Sequence, residues 1–224
     1  MKNDVIKNIT NKTLGILGGG QLGKMIAIEA SRLGIKTCIF DPNKNAPAFQ
    51  NANIIINSDY TNKKALGQFV KYSDKITYEF ENIPLESLNF LEKNSQIFPG
   101  IKALKYSQDR LLEKEFISNL GISVAPFYQI KNYVDLKGAL EKLNGNAILK
   151  TRKFGYDGKG QHTIKKYRIP NIKNNIEKNK YIIEGIIKFK KEISVIVIIK
   201  KDGSAICYEP SENKHVNGIL RETV

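Results

Sequence analysis

The first hundred residues alternate short apolar runs with longer mixed stretches. "TLGIL" (13–17), "KTCIF" (36–40), "NIIIN" (53–57) and "KITYEF" (75–80) are strand-length and mostly apolar. Between the first two lies "QLGKMIAIEASRLG", with apolar residues at helical spacing and a closing glycine. The segment at 61–71 has the same helical pattern. Strand and helix in alternation predict a parallel sheet with helices on its faces, an α/β domain.

Downstream, "SQDRLLEKEFISNLG" (107–121) predicts one long helix ending in a C-cap glycine. "VAPFYQI", a helix around 133–143, "NAILKT" (146–151) and "HTIKK" follow, and together they predict a small α+β lid. From Tyr181 the pattern turns β-rich, in "YIIEGII" and "EISVIVIIKKDGSAICYEP", with Asp202-Gly203 as a hairpin turn. The chain carries no internal repeat and no low-complexity linker.

Composition narrows the class. At 224 residues, 41% of them hydrophobic, the chain can bury a sizeable core in one domain or two. No run approaches the roughly 18 apolar residues of a membrane-spanning helix. "MKNDVIKNITNKTLGIL" lacks the apolar stretch and cleavage site of a signal peptide, so no membrane partner and a cytoplasmic location are expected. Cys38 and Cys207 each sit in an apolar run, which is neither a disulfide framework nor a zinc spacing. A net charge of +14 raises nucleic-acid binding, but the lysines are scattered along the whole chain rather than gathered. No nucleic-acid partner is expected, and a positive field also suits phosphorylated small molecules.

Three motifs carry chemistry. Gly18, Gly20 and Gly23 satisfy G-x-G-x-x-G between a strand and a helix, and Asp41 ends the next strand. That is the dinucleotide fingerprint, in which a helix N-terminus receives a pyrophosphate. Glycines that merely permit a tight turn give the same pattern, and Gln21 offers a third use, a polar contact to a smaller ligand. "TYEFEN" (77–82) places Glu79 and Glu81 at the carboxyl end of a strand, where open α/β sheets bind ligands. Alternation puts both on one face, where they would hold an amine or a ribose hydroxyl, or cap the helix starting near Pro84. Lys150 ends a strand, and Gly155, Gly158 and Gly160 let the following loop approach a ligand closely. The lysine precedes the glycines, so this is not a Walker A loop. With Arg110 upstream and Glu184 and Glu192 on later strands, the order is that of an ATP-grasp fold. Lysine and arginine then supply charge-assisted contacts to phosphate.

"GILGGGQLGKM", "YEFENIP", "SQDRLLEK", "LKTRKFGYDGKGQ", "KEISVIV" and "ENKHVNGIL" stand in one register from about Leu14 to the last residues. Together they resemble the 5-(carboxyamino)imidazole ribonucleotide synthases, ATP-grasp enzymes of bacterial purine synthesis. The related ATP-grasp glycinamide ribonucleotide transformylases carry Glu-Leu where this chain has Gln21-Leu22. The resemblance implies that ATP phosphorylates bicarbonate and that the carboxyl group then passes to 5-aminoimidazole ribonucleotide. It also implies an N-terminal substrate-side domain over 1–100, a linker helix and lid over 101–182, and the start of a C-terminal ATP-grasp subdomain over 183–224. By the same resemblance Arg110 and Lys150 bind ATP phosphates, and Gly155, Tyr156, Asp157, Gly158, Lys159, Gly160 and Gln161 cover them. Tyr156 and Asp157 lie close to the reacting groups. Glu184, Gly185, Ile186 and Ile187 form the adenine side, Glu192 holds the ribose, and His215 stands near the nucleotide. Gln21, Leu22, Glu79 and Glu81 hold the ribonucleotide, and a homodimer is the family's habit.

Two departures stand out. Phe154 occupies a place where the family has glycine, which stiffens the start of the loop. The family also continues well past "NGIL", with its Mg2+ ligands, including an Asn-Glu pair, in that later part. The resemblance therefore implies a C-terminally truncated chain, with metal ligands expected beyond Val224, no turnover by itself and poor solubility. A non-catalytic nucleotide-binding remnant and one half of a split enzyme are the alternatives.

Overall fold

The computed structural model describes residues 11–155, 159–169, 176, 180–200, 202–216 and 219–224. The backbone gathers into two compact units that divide between Leu112 and Glu113.

The first unit contains β1 (Thr13–Leu17), α1 (Gln21–Arg32), β2 (Lys36–Asp41), a 3-10 turn over Pro47–Asn51 and β3 (Ile54–Asn57). It continues through α2 (Lys63–Tyr72), β4 (Lys75–Tyr78), α3 (Leu85–Asn94), β5 (Ile97–Phe98) and α4 (Ile101–Ser107). Its strands form one parallel sheet in the order β3-β2-β1-β4-β5. Leu17, Phe40 and Ile76 pack with Phe69, Leu88 and Leu91, while Ile16 and Ile39 pack with Ala27 and Ala48. Alternate residues of the central strands thus serve separate cores, which is why these strands read as near-continuous apolar runs. Asn62 caps α2 by accepting from the amides of Lys64 and Ala65. Cys38 and Cys207 are both free, and burial pushes the Cys38 thiol up to about 12.

Two expectations change here. The strand expected over 75–80 ends at Tyr78, because its neighbours run out. β1 stops pairing at Leu17, Gly18 turns away at φ +106°, and β5 is followed by Pro99, which has no N–H to donate. Alternation therefore does not place Glu79 and Glu81 on a common strand face. The single helix expected over 107–121 is also interrupted, with α5 (Arg110–Asn119) starting afresh after α4. The Asp109 carboxylate accepts from the Leu111 amide at 3.0 Å and caps the new helix. The Gln108 side chain donates to the carbonyls of Glu81 and Ile83, each at 2.9 Å. Gly121 follows at φ +77°, the left-handed position expected of it.

The second unit is built on β6 (Phe127–Ile130), α6 (Tyr133–Lys142), β7 (Ala147–Thr151), β8 (Gln161–Ile164) and β9 (Tyr181–Gly185). The four strands make an antiparallel sheet in the order β6-β9-β7-β8. Leu136, Ala139 and Leu140 of α6 pack onto Ile130, Leu149, Ile164 and Ile183. β9, expected to open a separate β-rich stretch, is a central strand of this sheet. Beyond it come β10 (Glu192–Ser194), β11 (Val197–Ile199), β12 (Ala205–Cys207), β13 (Ser211–Val216) and β14 (Ile219–Thr223). β10, β13 and β14 form one antiparallel sheet, and β11 and β12 pair across Asp202-Gly203 as expected, with Gly203 at φ +82°. β10, β11, β12 and β14 are exposed along their whole length. No described helix is long and apolar enough to cross a membrane.

Candidate functional site

In the first unit the sheet order reverses direction at β1, with β2 and β3 on one side and β4 and β5 on the other. Ligands of open α/β sheets bind outside the carboxyl ends of strands at such a point. The loop after β1 and the loop after β4 both emerge there, and both were predicted to bind. The Asp41 carboxylate accepts from the Gly19 amide at 2.7 Å, and the Glu79 carboxylate accepts from the Gly20 amide at 2.8 Å. Asp41 is fixed in turn by the Asn43 amide at 2.7 Å and by the buried Tyr60 hydroxyl, which donates at 3.1 Å. The chain's own carboxylates thus use the donors that a dinucleotide pyrophosphate would need, and they would repel its charge. This arrangement disfavours the dinucleotide reading.

Burial pushes the Glu79 carboxyl above its usual range, and the charges of Asp41 and Glu81 add to that rise against the Gly20 amide. Burial, then the neighbouring Asp41, pushes the Tyr60 hydroxyl up as well. Glu79 would therefore gain from a donor that favours its charged form, such as an amine or a hydroxyl. Gln21 and Leu22, exposed, open α1 beside it, while Glu81 lies in the turn after Phe80. A groove of about 620 Å³ runs beside β3 and α2, lined by Ile54, Asn57, Asn62, Gln68 and Tyr72, and no predicted site residue lines it.

In the second unit Lys150 leaves β7 directly opposite Gln161 of β8. The Thr151 amide donates to the Gly160 carbonyl at 2.8 Å and closes the base of the glycine-rich hairpin. Gly160 stands at φ +71°, and a Cβ there would lie 2.6 Å from Thr151 Oγ1, so both conformation and space require glycine. Tyr156, Asp157 and Gly158 lie outside the described residues. Glu184 of β9, only 7% exposed, accepts from Lys150 Nζ at 3.0 Å. Lys114 Nζ of α5 reaches the same Oε2 atom at 3.3 Å. The buried carboxylate thus has the partner that its location demands. Lys114 was missed as an individual residue, although it lies inside the quoted "SQDRLLEK". Gly185, whose amide donates to the Pro126 carbonyl, ends β9, and the exposed Ile186 and Ile187 follow.

Farther along, the structure brings Glu192 and His215 together, with His215 Nδ1 3.0 Å from Glu192 Oε2 across β10 and β13. Arg110 occupies the first turn of α5. Among the described residues, no group of three or more His, Cys, Asp or Glu side chains could hold a metal ion.

Phe154 sits at φ +62° with its ring 69% exposed, so it has a left-handed backbone and little packing to offset it. Phe154→Gly should therefore stabilise the protein by about 0.5–1 kcal/mol, the strain relieved less the added freedom of the unfolded chain. A raised urea midpoint is the expected reading, and an unchanged or lower one would show that the position carries no strain.

Residues 11–108 match the family model of the ribonucleotide synthetase preATP-grasp domain, and residues 115–224 match that of the ATP-grasp domain. The chain is 41% identical over 211 residues to the N5-carboxyaminoimidazole ribonucleotide synthase of Brucella melitensis, covering 93% of this chain and 58% of that protein. It superimposes on an N5-carboxyaminoimidazole ribonucleotide synthetase solved as an ADP complex, with a TM-score of 0.91 and 38% identity, over 96% of this chain and 57% of that one. The Aspergillus clavatus synthase, solved with ADP and 5-aminoimidazole ribonucleotide, matches with a TM-score of 0.83 and 26% identity, over 93% of this chain and 55% of that one. The chain thus spans rather more than half the length of the relatives it matches. Residues 115–224 thus belong to the ATP-grasp family, and a ribonucleotide synthetase preATP-grasp domain precedes them over residues 11–108.

Proposed function

We propose that the chain works in the ATP-dependent carboxylation of 5-aminoimidazole ribonucleotide by bicarbonate. A bicarbonate oxygen attacks the γ-phosphorus of ATP, ADP leaves, and carboxyphosphate forms. The amine of the ribonucleotide then attacks the carboxyl carbon, phosphate leaves, and the nitrogen loses its proton. The products are 5-(carboxyamino)imidazole ribonucleotide, ADP and phosphate. A reducing cytoplasm suits the two free thiols. The observation that carries this reading is Lys150, held on buried Glu184 at the base of the glycine-rich hairpin.

Lys150 and Arg110 are assigned to the ATP phosphates, under the hairpin from Gly155 to Gln161. Phosphoryl transfer depends mainly on positioning and on compensating charge, which is what fixed cations supply. Tyr156 and Asp157 are assigned to the reacting groups. Glu184 through Ile187 take the adenine side, and the paired Glu192 and His215 take the ribose side. The ribonucleotide belongs at Gln21, Leu22, Glu79 and Glu81, where a carboxylate with a raised pKa gains by accepting from an amine or hydroxyl.

Lys150→Ala tests the reading. Its dissociation constant for ADP should rise about 10- to 100-fold, since a hydrogen bond to a charged group contributes about 1.5–3 kcal/mol. Titration calorimetry on the folded variant measures this directly. An unchanged constant would remove Lys150 from the phosphate site and take away the support of the proposal.

A further inference from the structure

Two ammonium groups converge on one carboxylate oxygen in the second unit. Lys150 Nζ and Lys114 Nζ stand 3.0 and 3.3 Å from Glu184 Oε2, with the lysine side chains 24% and 16% exposed and that of Glu184 9%. The trio carries one positive charge in excess in surroundings largely removed from water. Lys114 also lies 5.9 Å from the Phe127 ring centroid, which favours a cation there and holds the side chain in place.

Lys150 has to serve two anions if it also meets a nucleotide phosphate. Leaving Glu184 for the phosphate would strand a buried carboxylate, which is costly when the charge has no other partner. The second ammonium removes that obstacle. We propose that Lys114 is a positioning residue that stays on Glu184 and so releases Lys150 to the phosphates of the bound nucleotide. This inference rests on the nucleotide reading above, but it assigns Lys114 a part that the resemblance did not imply. Lys114 acts through Glu184 and Lys150, so its effect should disappear when Glu184 carries no charge.

The test is a double-mutant cycle on the full chain, with ADP as ligand and adenosine as a phosphate-free control. Lys114→Met should weaken ADP binding about tenfold and leave adenosine binding unchanged, and Lys114→Arg should restore ADP affinity. In a Glu184→Gln background, Lys114→Met should change ADP affinity less than twofold, because no charged carboxylate remains to be stranded. A tenfold loss persisting in that background would overturn the proposal and place Lys114 directly on the nucleotide. Amine labelling of Lys150, read by mass spectrometry without ligand, gives a second measurement. Lys114→Met should slow it by tightening the Lys150–Glu184 pair, and adding Glu184→Gln should reverse the change. Labelling rates indifferent to Lys114 would overturn the inference even where ADP binds. A wild-type chain that binds no ADP would sink the nucleotide reading instead, and the labelling alone would then decide whether Lys114 governs Lys150.

Discussion

Glu184→Ala should lower the unfolding free energy by about 2–4 kcal/mol, the larger stability loss among the single changes considered. The substitution deletes the anion that compensates Lys150 and Lys114 and leaves two cations facing each other. Removing one partner of a buried ion pair costs roughly 3–5 kcal/mol. Both lysines keep some exposure and can swing toward water, which pulls the figure down. Glu184→Gln should lose less, because its amide oxygen still accepts. ADP should stabilise the alanine variant less than the wild type, since the variant has lost the adenine-side contact assigned to Glu184. Urea denaturation with and without ADP measures all three. A loss under 1 kcal/mol for Glu184→Ala would mean that the cluster is solvated and that the sheet holds no charge needing a partner.

The part of this arrangement that could be read from the sequence follows the range of each interaction. The strands of the first unit are visible because burial on both faces leaves apolar runs, as in Ile39–Phe40 of β2. Their ends are less visible. Glu79 looks like one more strand residue, but its amide makes the last bond to β1, at the Leu17 carbonyl, before Gly18 turns away. The break at Asp109 is a local competition, in which its carboxylate takes the Leu111 amide and starts a new helix inside an otherwise helical pattern. Lys150 and Glu184 could each be picked out from their surroundings. Their mutual contact, and Lys114 on the same oxygen, depends on β9 sitting between β6 and β7, an order that no local pattern specifies. Asp41 was noticed as the acidic end of a dinucleotide fingerprint, and only the backbone shows its carboxylate turned onto the glycine loop itself.

Pattern and burial part company after Glu192. Ile193, Ile196, Ile198 and Ile199 lie in or beside strands, as alternation and β-branching predict, yet each is at least 46% exposed. A two-stranded and a three-stranded sheet without a second layer bury neither face. This apolar surface predicts strong binding of a hydrophobic dye by the folded protein, confined to the second unit.

Gly23→Ala is the change expected to separate the two ligands most cleanly. A Cβ on Gly23 would stand 2.6 Å from the Gly18 carbonyl oxygen and 3.3 Å from Glu79 Cγ. The first obstacle is backbone, so no side-chain rotation relieves it, and α1 must move away from β1. Forcing an extra carbon into such packing costs about 1–3 kcal/mol. The displacement falls where Gly20 donates to Glu79, so the glycine loop shifts together with Gln21 and Leu22 in the first turn of α1. Affinity for 5-aminoimidazole ribonucleotide should therefore drop at least about tenfold, an energy close to 1.4 kcal/mol. ADP affinity should hold within about twofold, because Lys150 and Glu184 belong to the other compact unit and sites that share no partners act nearly additively. Calorimetric titration of the folded variant with each ligand reads the two constants separately. Equal losses for both ligands would show that the substitution unfolds more than the glycine loop, and an unchanged ribonucleotide constant would remove that loop from the substrate site.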